Sequence, residues 1–253
     1  STFLDNIRLK ASINLMAEVV SETNIPSGTG IASSAAAFAA LSLAGSHSAG
    51  LTLDPIQLSC LARRGSGSAC RSIPAGFAEW NVGNSDQTSY AVSLAPPDHW
   101  DLVDVIAIIS REHKSTGSSQ GHILAVTSPL QIARVEDTPR RLDLCRQAIM
   151  KRNFASLAGI VEADSNLLHA IMITSSPPLF YWLGASLNVM QKVQAAREQG
   201  LHACYTVDAG SNVHVICLKE YLEETKDLVK SIEGVGSIMV SQVGGPTRLA
   251  MVE

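Results

Sequence analysis

Apolar and polar residues alternate early in the chain, over residues 12–21. Every second residue from Ile13 to Val19 is apolar, and this spacing predicts a strand. A helix-favouring run follows at 35–44, and residues 2–10 have the pattern of the end of an earlier helix. The local order is therefore predicted to be helix, strand, loop and helix.

Later apolar runs predict further elements in mixed order. We expect strands at 77–80, 90–94, 103–110, 202–207, 213–218 and 237–242, and helices at 55–62, 138–151, 154–165, within 177–199, and at 220–232. Strands and helices do not alternate regularly, so an α+β fold is favoured over a doubly wound sheet. Successive prolines at Pro96 and Pro97 predict a boundary, which gives two domains, 1–97 and 98–253.

Composition excludes several classes of function. The 253 residues are 46% hydrophobic and carry a net charge of −4, so a sizeable core is expected and no nucleic-acid partner. No apolar stretch approaches the thickness of a bilayer, so no membrane partner is expected. The seven histidines lack metal-ligand spacing, and the five cysteines form no CxxC pair. Reduced thiols in a cytoplasmic protein are the simplest interpretation.

The most distinctive polar segment is the loop at 63–72, which holds two glycines, three serines and three arginines. Glycine lets the backbone approach a ligand, hydroxyls bond phosphate oxygens, and a guanidinium group binds phosphate or carboxylate bidentately. The candidate binding residues here are Ser66, Gly67, Ser68 and Arg71. A solvated turn with unrelated basic residues is the alternative.

A second glycine- and serine-rich segment precedes the helix predicted at 35–44. Amide groups at a helix start, aided by the helix dipole, bind phosphate. The residues that would do so are Ser27, Gly28, Thr29, Gly30, Ala32, Ser33 and Ser34. The segment fits neither the Walker A nor the dinucleotide pattern, so an ordinary turn with a serine cap is the alternative. The two loops together favour a phosphate ligand.

Two polar segments in the second half are further candidates. Residues 114–122 carry hydroxyls, a lysine and two glycines, so they form either a loop that closes over a phosphate or a mobile polar loop; His122 is expected at the surface. Asp208 follows an apolar strand and precedes a glycine turn, where its carboxylate can orient or deprotonate a hydroxyl. An aspartate that bonds its own backbone in a turn is the alternative. The polar cluster at 164–166 is predicted to be structural.

In this order, the segments resemble the mevalonate diphosphate decarboxylases of the GHMP kinase superfamily. The run from Arg64 to Ser72, followed by Gly76 and by Trp80, is similar to the most distinctive motif of that family. The segment 26–37 is similar to the nucleotide loop of the superfamily. Three further family motifs are similar to 116–121, 208–212 and 243–246.

The resemblance implies a GHMP kinase-like two-domain fold, with a ribosomal-S5-like N-terminal domain that is incomplete here and a ferredoxin-like C-terminal domain. It implies an active site between them that uses ATP and Mg²⁺. The γ-phosphate would pass to the tertiary 3-hydroxyl of 5-diphosphomevalonate, and loss of phosphate and CO₂ would give isopentenyl diphosphate. A homodimer is common among such proteins and is expected here.

The resemblance also implies roles for individual residues. Asp208 would lie beside the 3-hydroxyl and Arg71 would bind the substrate carboxylate, both as catalytic residues. The 5-diphosphate would be held by Ser66, Gly67, Ser68 and Ser118. The loop from Ser27 to Ser34 would hold the phosphates of ATP, and Ser34 would contribute to the Mg²⁺ site.

One departure from the family leaves alternatives open. Members normally begin with strands that carry a Lys- and Tyr-containing substrate motif, and none precedes Ser12, so we expect that an N-terminal segment has been lost. Decarboxylation of 5-phosphomevalonate is one alternative, and a mevalonate 3-kinase, disfavoured by Asp208, is another. A non-catalytic chain that binds nucleotide or anion, or a folded interaction module, is the third.

Overall fold

The computed structural model describes residues 2–25, 31, 33–112 and 116–250. These residues divide into two compact units. The first unit comprises 2–25, 33–99 and 244–250, and the second comprises 31, 100–112 and 116–243. Within the described residues, no helix is both long and apolar enough to cross a lipid bilayer.

The helices of the first unit occur where the sequence predicts them. They are α1 (Thr2–Ala11), α2 (Ser33–Ser48) and α3 (Pro55–Arg63). Phe3 of α1 and Leu61 of α3 belong to one buried apolar cluster, which joins the helices. Helix α3 begins at the predicted residue because Asp54 caps it: its Oδ1 accepts a hydrogen bond from the Gln57 amide at 2.8 Å.

The first unit also contains the two strands predicted at 77–80 and 90–94. Strands β1 (Phe77–Asn81) and β2 (Tyr90–Ala95) pair antiparallel. Gly76 leads into β1 with a φ of +72°, and a Cβ at this position would lie 2.2 Å from the carbonyl oxygen of Ala95. Both the dihedral angle and the close approach therefore require glycine here.

Residues 12–21 form no strand, so the prediction for this segment is wrong. Of its alternating apolar side chains, Ile13 is half-buried and the others are exposed, and Leu15 keeps 69% of its accessible surface. In the described part of the first unit, β1 and β2 pair only with each other. A segment without a neighbouring strand leaves its backbone groups to water, so alternation alone does not make residues 12–21 part of a sheet.

The described residues of the second unit form a four-stranded antiparallel sheet in the order β4–β5–β3–β6. The strands are β3 (Leu102–Ile108), β4 (Ala203–Thr206), β5 (Val213–Leu218) and β6 (Ser237–Gln242). The helices are α4 (Ser118–Ala125), α5 (Gln131–Glu136), α6 (Thr138–Met150), α7 (Phe154–Ile173), α8 (Gly184–Glu198) and α9 (Leu222–Lys230). All four strands confirm the predictions, as do α6, α8 and α9.

One face of this sheet forms the core of the second unit. Alternate strand residues such as Val105 and Val215 are fully buried, and they cluster with Val189 and Val193 of α8 and with Val229 of α9. Apolar residues recur at every second position along each strand and about every 3.6 positions along each helix, so each element has one apolar face, and these faces pack together. The α+β class predicted from the sequence follows from this arrangement.

Three helices differ from the predictions. Helix α7 continues to Ile173 rather than ending near 165, and α5 was not predicted. Helix α4 replaces part of the loop predicted at 114–122. Its polar, glycine-containing sequence is typical of a loop, but Ala125 is buried in an apolar cluster with Met172 of α7, so tertiary packing holds this segment as a helix.

Candidate functional site

The segment 63–72, predicted as a loop, comprises the end of α3 and a 3-10 helix over Gly67–Ser72. Two of its three arginines are bound locally. Arg63 Nε donates to the carbonyl oxygen of Ser89 at 3.0 Å, and a second nitrogen of Arg63 pairs with the carboxylate of Asp86. Arg64 Nη1 lies 3.1 Å from the other oxygen of the same carboxylate. These two guanidinium groups fasten the loop to the segment between β1 and β2. Arg71 is therefore the arginine that remains for a ligand.

Trp80 on β1 supports Arg71. The guanidinium carbon of Arg71 lies 5.8 Å from the centroid of the Trp80 ring, a cation–π contact. The indole nitrogen of Trp80 donates to Ser89 Oγ at 3.0 Å, which fixes the ring. Arg71 is exposed and has no ion pair among the described residues, so its N–H donors can bind an anion. Sequence reasoning missed this role of Trp80, because it depends on the position of β1.

The serine hydroxyls of both predicted loops meet in the first unit. Ser34, in the first turn of α2, has its Oγ 3.1 Å from Ser66 Oγ, and Ser66 Oγ lies 3.3 Å from Ser68 Oγ. Gly67 lies between these serines, and a Cβ there would be 3.4 Å from the Trp80 ring. Ser33 opens α2. Five other predicted ligands lie outside the described residues: Ser27, Gly28, Thr29, Gly30 and Ala32.

The C-terminal segment is hydrogen-bonded to the end of the arginine loop. Thr247 donates through its amide to the Ile73 carbonyl at 3.2 Å and through its hydroxyl to the Ser72 carbonyl at 2.5 Å. The Gly76 amide donates to the Gly244 carbonyl at 2.9 Å. Residues far apart in sequence thus brace the backbone just after Arg71. No local pattern signals this contact.

In the second unit, Asp208 lies two residues beyond β4 and is exposed. The turn after it is closed by its backbone, since the Gly210 amide donates to the Asp208 carbonyl at 2.8 Å. Asn212 Oδ1 accepts from the amides of Ile109 at 2.7 Å and Ser110 at 3.1 Å. The loop is therefore tied to the end of β3, and the Asp208 carboxylate has no ion pair among the described residues.

The charge of Asp208 contributes to the pKa of two histidines of the same unit, His169 and His214. Burial lowers the pKa of His169 more than the Val207 carbonyl and Asp208 raise it, so the net shift is downward. For His214, burial also lowers the pKa, but hydrogen bonding and attraction to Asp104, with the charge of Asp208, outweigh burial and raise it. His214 Nδ1 lies 2.7 Å from Asp104 Oδ2.

Ser118 is the first residue of α4, not part of a loop as predicted. The first turn of this helix is closed by a hydrogen bond from the Gly121 amide to the Gly117 carbonyl at 3.1 Å. A Cβ at Gly121 would lie 2.8 Å from the hydroxyl oxygen of Tyr181, so this glycine allows α4 to pack closely. His122 is exposed, as predicted.

The donor atoms of the first unit fit Mg²⁺ bound through phosphate. No group of three or more His, Cys, Asp or Glu residues that could hold a metal occurs among the described residues. Mg²⁺ prefers oxygen ligands and in nucleotide sites takes several of them from phosphate and water. The hydroxyl of Ser34, at the start of a helix and next to Ser66, offers an oxygen of the kind that such a site uses.

The fold defines a class of proteins, those with the two-domain fold of the GHMP kinases. The structure matches mevalonate diphosphate decarboxylase from Staphylococcus aureus with a TM-score of 0.91 and 34% identity, over 97% of this chain and 75% of that one. It also matches a structure described as MDDEF in complex with MVAPP, AMPPCP and magnesium, with a TM-score of 0.88 and 36% identity, over 97% and 75% of the chains.

The sequence comparisons identify the family. Residues 1–91 match the diphosphomevalonate decarboxylase-like N-terminal domain, and residues 104–248 match the mevalonate 5-diphosphate decarboxylase C-terminal domain. The chain belongs to the mevalonate diphosphate decarboxylase family, which confirms the resemblance of the motifs. The diphosphomevalonate decarboxylase of Candida albicans is 40% identical over 219 residues, which are 85% of this chain and 59% of that protein. The chain thus spans about three fifths of the length of this relative.

Proposed function

We propose that the protein catalyses the ATP-dependent decarboxylation of 5-diphosphomevalonate to isopentenyl diphosphate, after phosphorylation of the 3-hydroxyl, in the mevalonate pathway of isoprenoid biosynthesis. The observation that carries this proposal is the cluster of Ser34, Ser66 and Ser68 hydroxyls in a member of this family. Relatives named diphosphomevalonate decarboxylase and a neighbour that binds MVAPP, AMPPCP and magnesium support it.

We propose that the 5-diphosphate is bound by Ser66, Gly67 and Ser68 and the substrate carboxylate by Arg71. Hydroxyls and a closely approaching backbone suit phosphate oxygens, and a planar guanidinium suits a carboxylate. The stacking of Arg71 on Trp80 supports this role, because it orients the guanidinium group before the substrate arrives. Orientation in advance reduces the entropy lost in the transition state.

The nucleotide is proposed to bind at the start of α2, in the first unit. Its phosphates would be held by Ser27, Gly28, Thr29, Gly30, Ala32, Ser33 and Ser34, with the Ser34 hydroxyl also a ligand of Mg²⁺. ATP supplies the phosphoryl group, and Mg²⁺ offsets its charge. The amides and dipole of α2 would add to this electrostatic stabilisation.

Asp208 is proposed as the catalytic carboxylate of the second unit, with Ser118 as a further ligand of the 5-diphosphate. An ionised carboxylate beside the 3-hydroxyl orients it and accepts its hydrogen bond. The same charge would stabilise positive charge that develops at C3 as the bonds to phosphate and CO₂ break. The exposure of Asp208 and the anchoring of its loop through Asn212 support the assignment.

Product analysis tests the reaction. Purified protein is supplied with ATP, Mg²⁺ and either 5-diphosphomevalonate or 5-phosphomevalonate, and CO₂, ADP and phosphate are measured. We expect all three products, with higher kcat/KM for the diphosphate. ADP without CO₂ would indicate a 3-kinase, preference for the monophosphate would indicate the other decarboxylase, and nucleotide binding without products would indicate a non-catalytic chain.

The variant Asp208→Asn tests the catalytic carboxylate. We expect kcat to fall by at least about a hundredfold while the Kd for ATP changes by less than about twofold. Asp227→Asn is the matched control, because it removes the same charge from an exposed position on α9 and should leave kcat unchanged. Full turnover by the Asp208 variant would contradict the assignment.

We further propose a cytoplasmic homodimer, in which residues 1–97 form a ribosomal-S5-like nucleotide-binding domain and residues 98–253 a ferredoxin-like domain. None of the five cysteines, Cys60, Cys70, Cys145, Cys204 and Cys217, forms a disulfide, which supports a reducing compartment. Sedimentation of the purified protein tests the dimer: a single species with the mass of one chain would contradict it.

A further inference from the structure

Strand β4 lies at the edge of the four-stranded sheet, with β5 as its neighbour on one side. Backbone groups on the open side of such a strand need other partners. Side chains of α7 supply them. The Tyr205 amide donates to Glu162 Oε1 at 3.2 Å, the Val207 amide donates to Ser165 Oγ at 2.9 Å, and His169 Nε2 lies 3.0 Å from the Val207 carbonyl oxygen.

The spacing of these side chains matches the strand. Glu162, Ser165 and His169 lie at intervals of three and four residues, which places them on one face of a helix. Tyr205 and Val207 are two residues apart, so their backbone groups point to the same side of the strand. The three helix side chains are 5%, 5% and 1% exposed. A polar face of α7 therefore takes the place of a neighbouring strand along β4.

His169 is the last side chain in this series, and the geometry of its contact identifies the donor. Because a carbonyl oxygen only accepts, Nε2 must carry a proton and donate it to Val207. Burial lowers the pKa of His169, which favours the neutral ring with its proton on Nε2. The ring contacts Trp182, at a centroid distance of 4.5 Å, and Tyr181, at 6.1 Å. These ring contacts limit the direction in which His169 can donate.

The peptide unit that His169 binds is the one that leads into Asp208. The carbonyl of Val207 and the amide nitrogen of Asp208 belong to the same planar group, so a hydrogen bond to the carbonyl fixes the orientation of both. Beyond the turn, Asn212 ties the loop to β3, and Ser186 Oγ of α8 donates to the Ser211 carbonyl at 2.7 Å. The loop is anchored at both ends by buried side chains.

We infer that His169 is a positioning residue for Asp208: through the Val207 carbonyl it holds the peptide from which the reactive carboxylate extends. This inference rests on the proposed function, because that proposal gives Asp208 its chemical role. Ser165 supports the same residue: its Oγ accepts from the Val207 amide at 2.9 Å and donates to the Val207 carbonyl at 3.4 Å. Neither residue needs to touch the substrate.

The pair His169→Leu and His169→Gln tests the inference. Leucine fills the buried site without a donor, whereas the amide of glutamine can donate from a position near that of Nε2. We expect kcat of the leucine variant in the full-length protein to fall by about 10- to 100-fold with KM changed by less than about threefold. Glutamine should restore most of kcat. Asn153→Ala, which removes the N-cap of the same helix, is the control: it should lower stability and leave kcat unchanged.

Hydrogen exchange read by mass spectrometry gives a second result that does not depend on turnover. In the leucine variant, exchange should increase in a peptide covering 203–212 and stay unchanged in one covering β5. Ser165→Ala provides the same comparison if the leucine variant does not fold. Wild-type kcat with wild-type exchange in 203–212, or equal losses for leucine and glutamine, would overturn the inference.

A double variant separates this inference from the proposed function. If His169 acts through Asp208, then adding His169→Leu to Asp208→Asn should not lower the residual activity further. A further fall equal to that in the wild-type background would show that His169 acts elsewhere. Full activity of Asp208→Asn would refute the catalytic role of Asp208, while the exchange measurement would still decide whether His169 fixes the loop.

Discussion

At Gly76 a side chain would meet backbone atoms at very short distance, and the variant Gly76→Ala tests the cost of this. The residue has a φ of +72°, and a Cβ would lie 2.2 Å from the Ala95 carbonyl oxygen and 2.7 Å from the carbonyl carbon of Pro96. Both neighbours are backbone atoms, which cannot move aside as the end of a side chain can. The amide of Gly76 also donates to Gly244, so a shift of the turn disturbs the C-terminal segment.

The expected loss of stability follows from three contributions. A side chain in the left-handed region costs about 1–2 kcal/mol, and forcing an added carbon into packed surroundings costs about 1–3 kcal/mol. The reduced freedom of the unfolded chain offsets about 0.4–1 kcal/mol. Gly76→Ala should therefore lower the free energy of unfolding by about 1–5 kcal/mol, with the middle of this range at about 3 kcal/mol.

Gly50→Ala is the matched control. Gly50 belongs to the same unit and has a φ of +75°, but no atom lies within 4 Å of a Cβ built there. It shares the dihedral cost without the clash, so we expect a loss of about 1 kcal/mol. Urea unfolding followed by circular dichroism gives both values, provided that the m-values agree. Equal losses for the two variants would refute the reasoning, because they would show that the turn relaxes around the added carbon.

Two further predictions concern groups in the second unit. His214 has a raised pKa because Asp104 outweighs burial, so its stabilising contribution is complete below the ordinary value of 6.5 and is lost as pH rises through the folded-state pKa. Urea unfolding between pH 5.5 and 9 should show this loss in the wild type but not in His214→Gln, and parallel curves would contradict it. Burial raises the pKa of the Cys204 and Cys217 thiols, so iodoacetamide at pH 8 should label them only in urea; labelling of either in the folded protein would contradict their burial.

The fold could be predicted where burial decides the structure. Strands β3 and β5 lie in the interior of the sheet, and their mostly apolar sequences, each with a single polar residue, Asp104 or His214, predict the correct positions. The segment 12–21 has an equally regular pattern and forms no strand. The difference is the partner: β3 pairs with β5 and β6, whereas residues 12–21 pair with no strand among the described residues. A local pattern reports which residues could lie on a buried face, but not whether another strand is there to pair with them.

The sequence predicted which residues belong to the candidate site, but it did not predict the contacts that they make. Composition alone singled out the loop with Ser66 and Arg71, because hydroxyls and guanidinium groups are unusual in such density. The sequence could not show that Asp86 neutralises the neighbouring arginines. Nor could it show that Trp80 lies beneath Arg71. These contacts join segments that are separated by a turn or a strand, and their presence depends on how β1 and β2 pair.

The polar residues of α7 show why the order of strands matters for function. From the sequence, Ser165 belongs to a polar cluster that is expected to be structural, and His169 has no assigned role. Both become intelligible once β4 is known to be an edge strand, since its open side needs donors and acceptors at intervals that a helix can match. An apolar helix on this side would bury unpaired backbone groups at a cost of about 1–3 kcal/mol each. Ser165 and His169 bond the backbone groups on the open side of β4. The same hydrogen bonds hold the peptide before Asp208, so these two side chains both complete the edge of the sheet and position the proposed catalytic carboxylate.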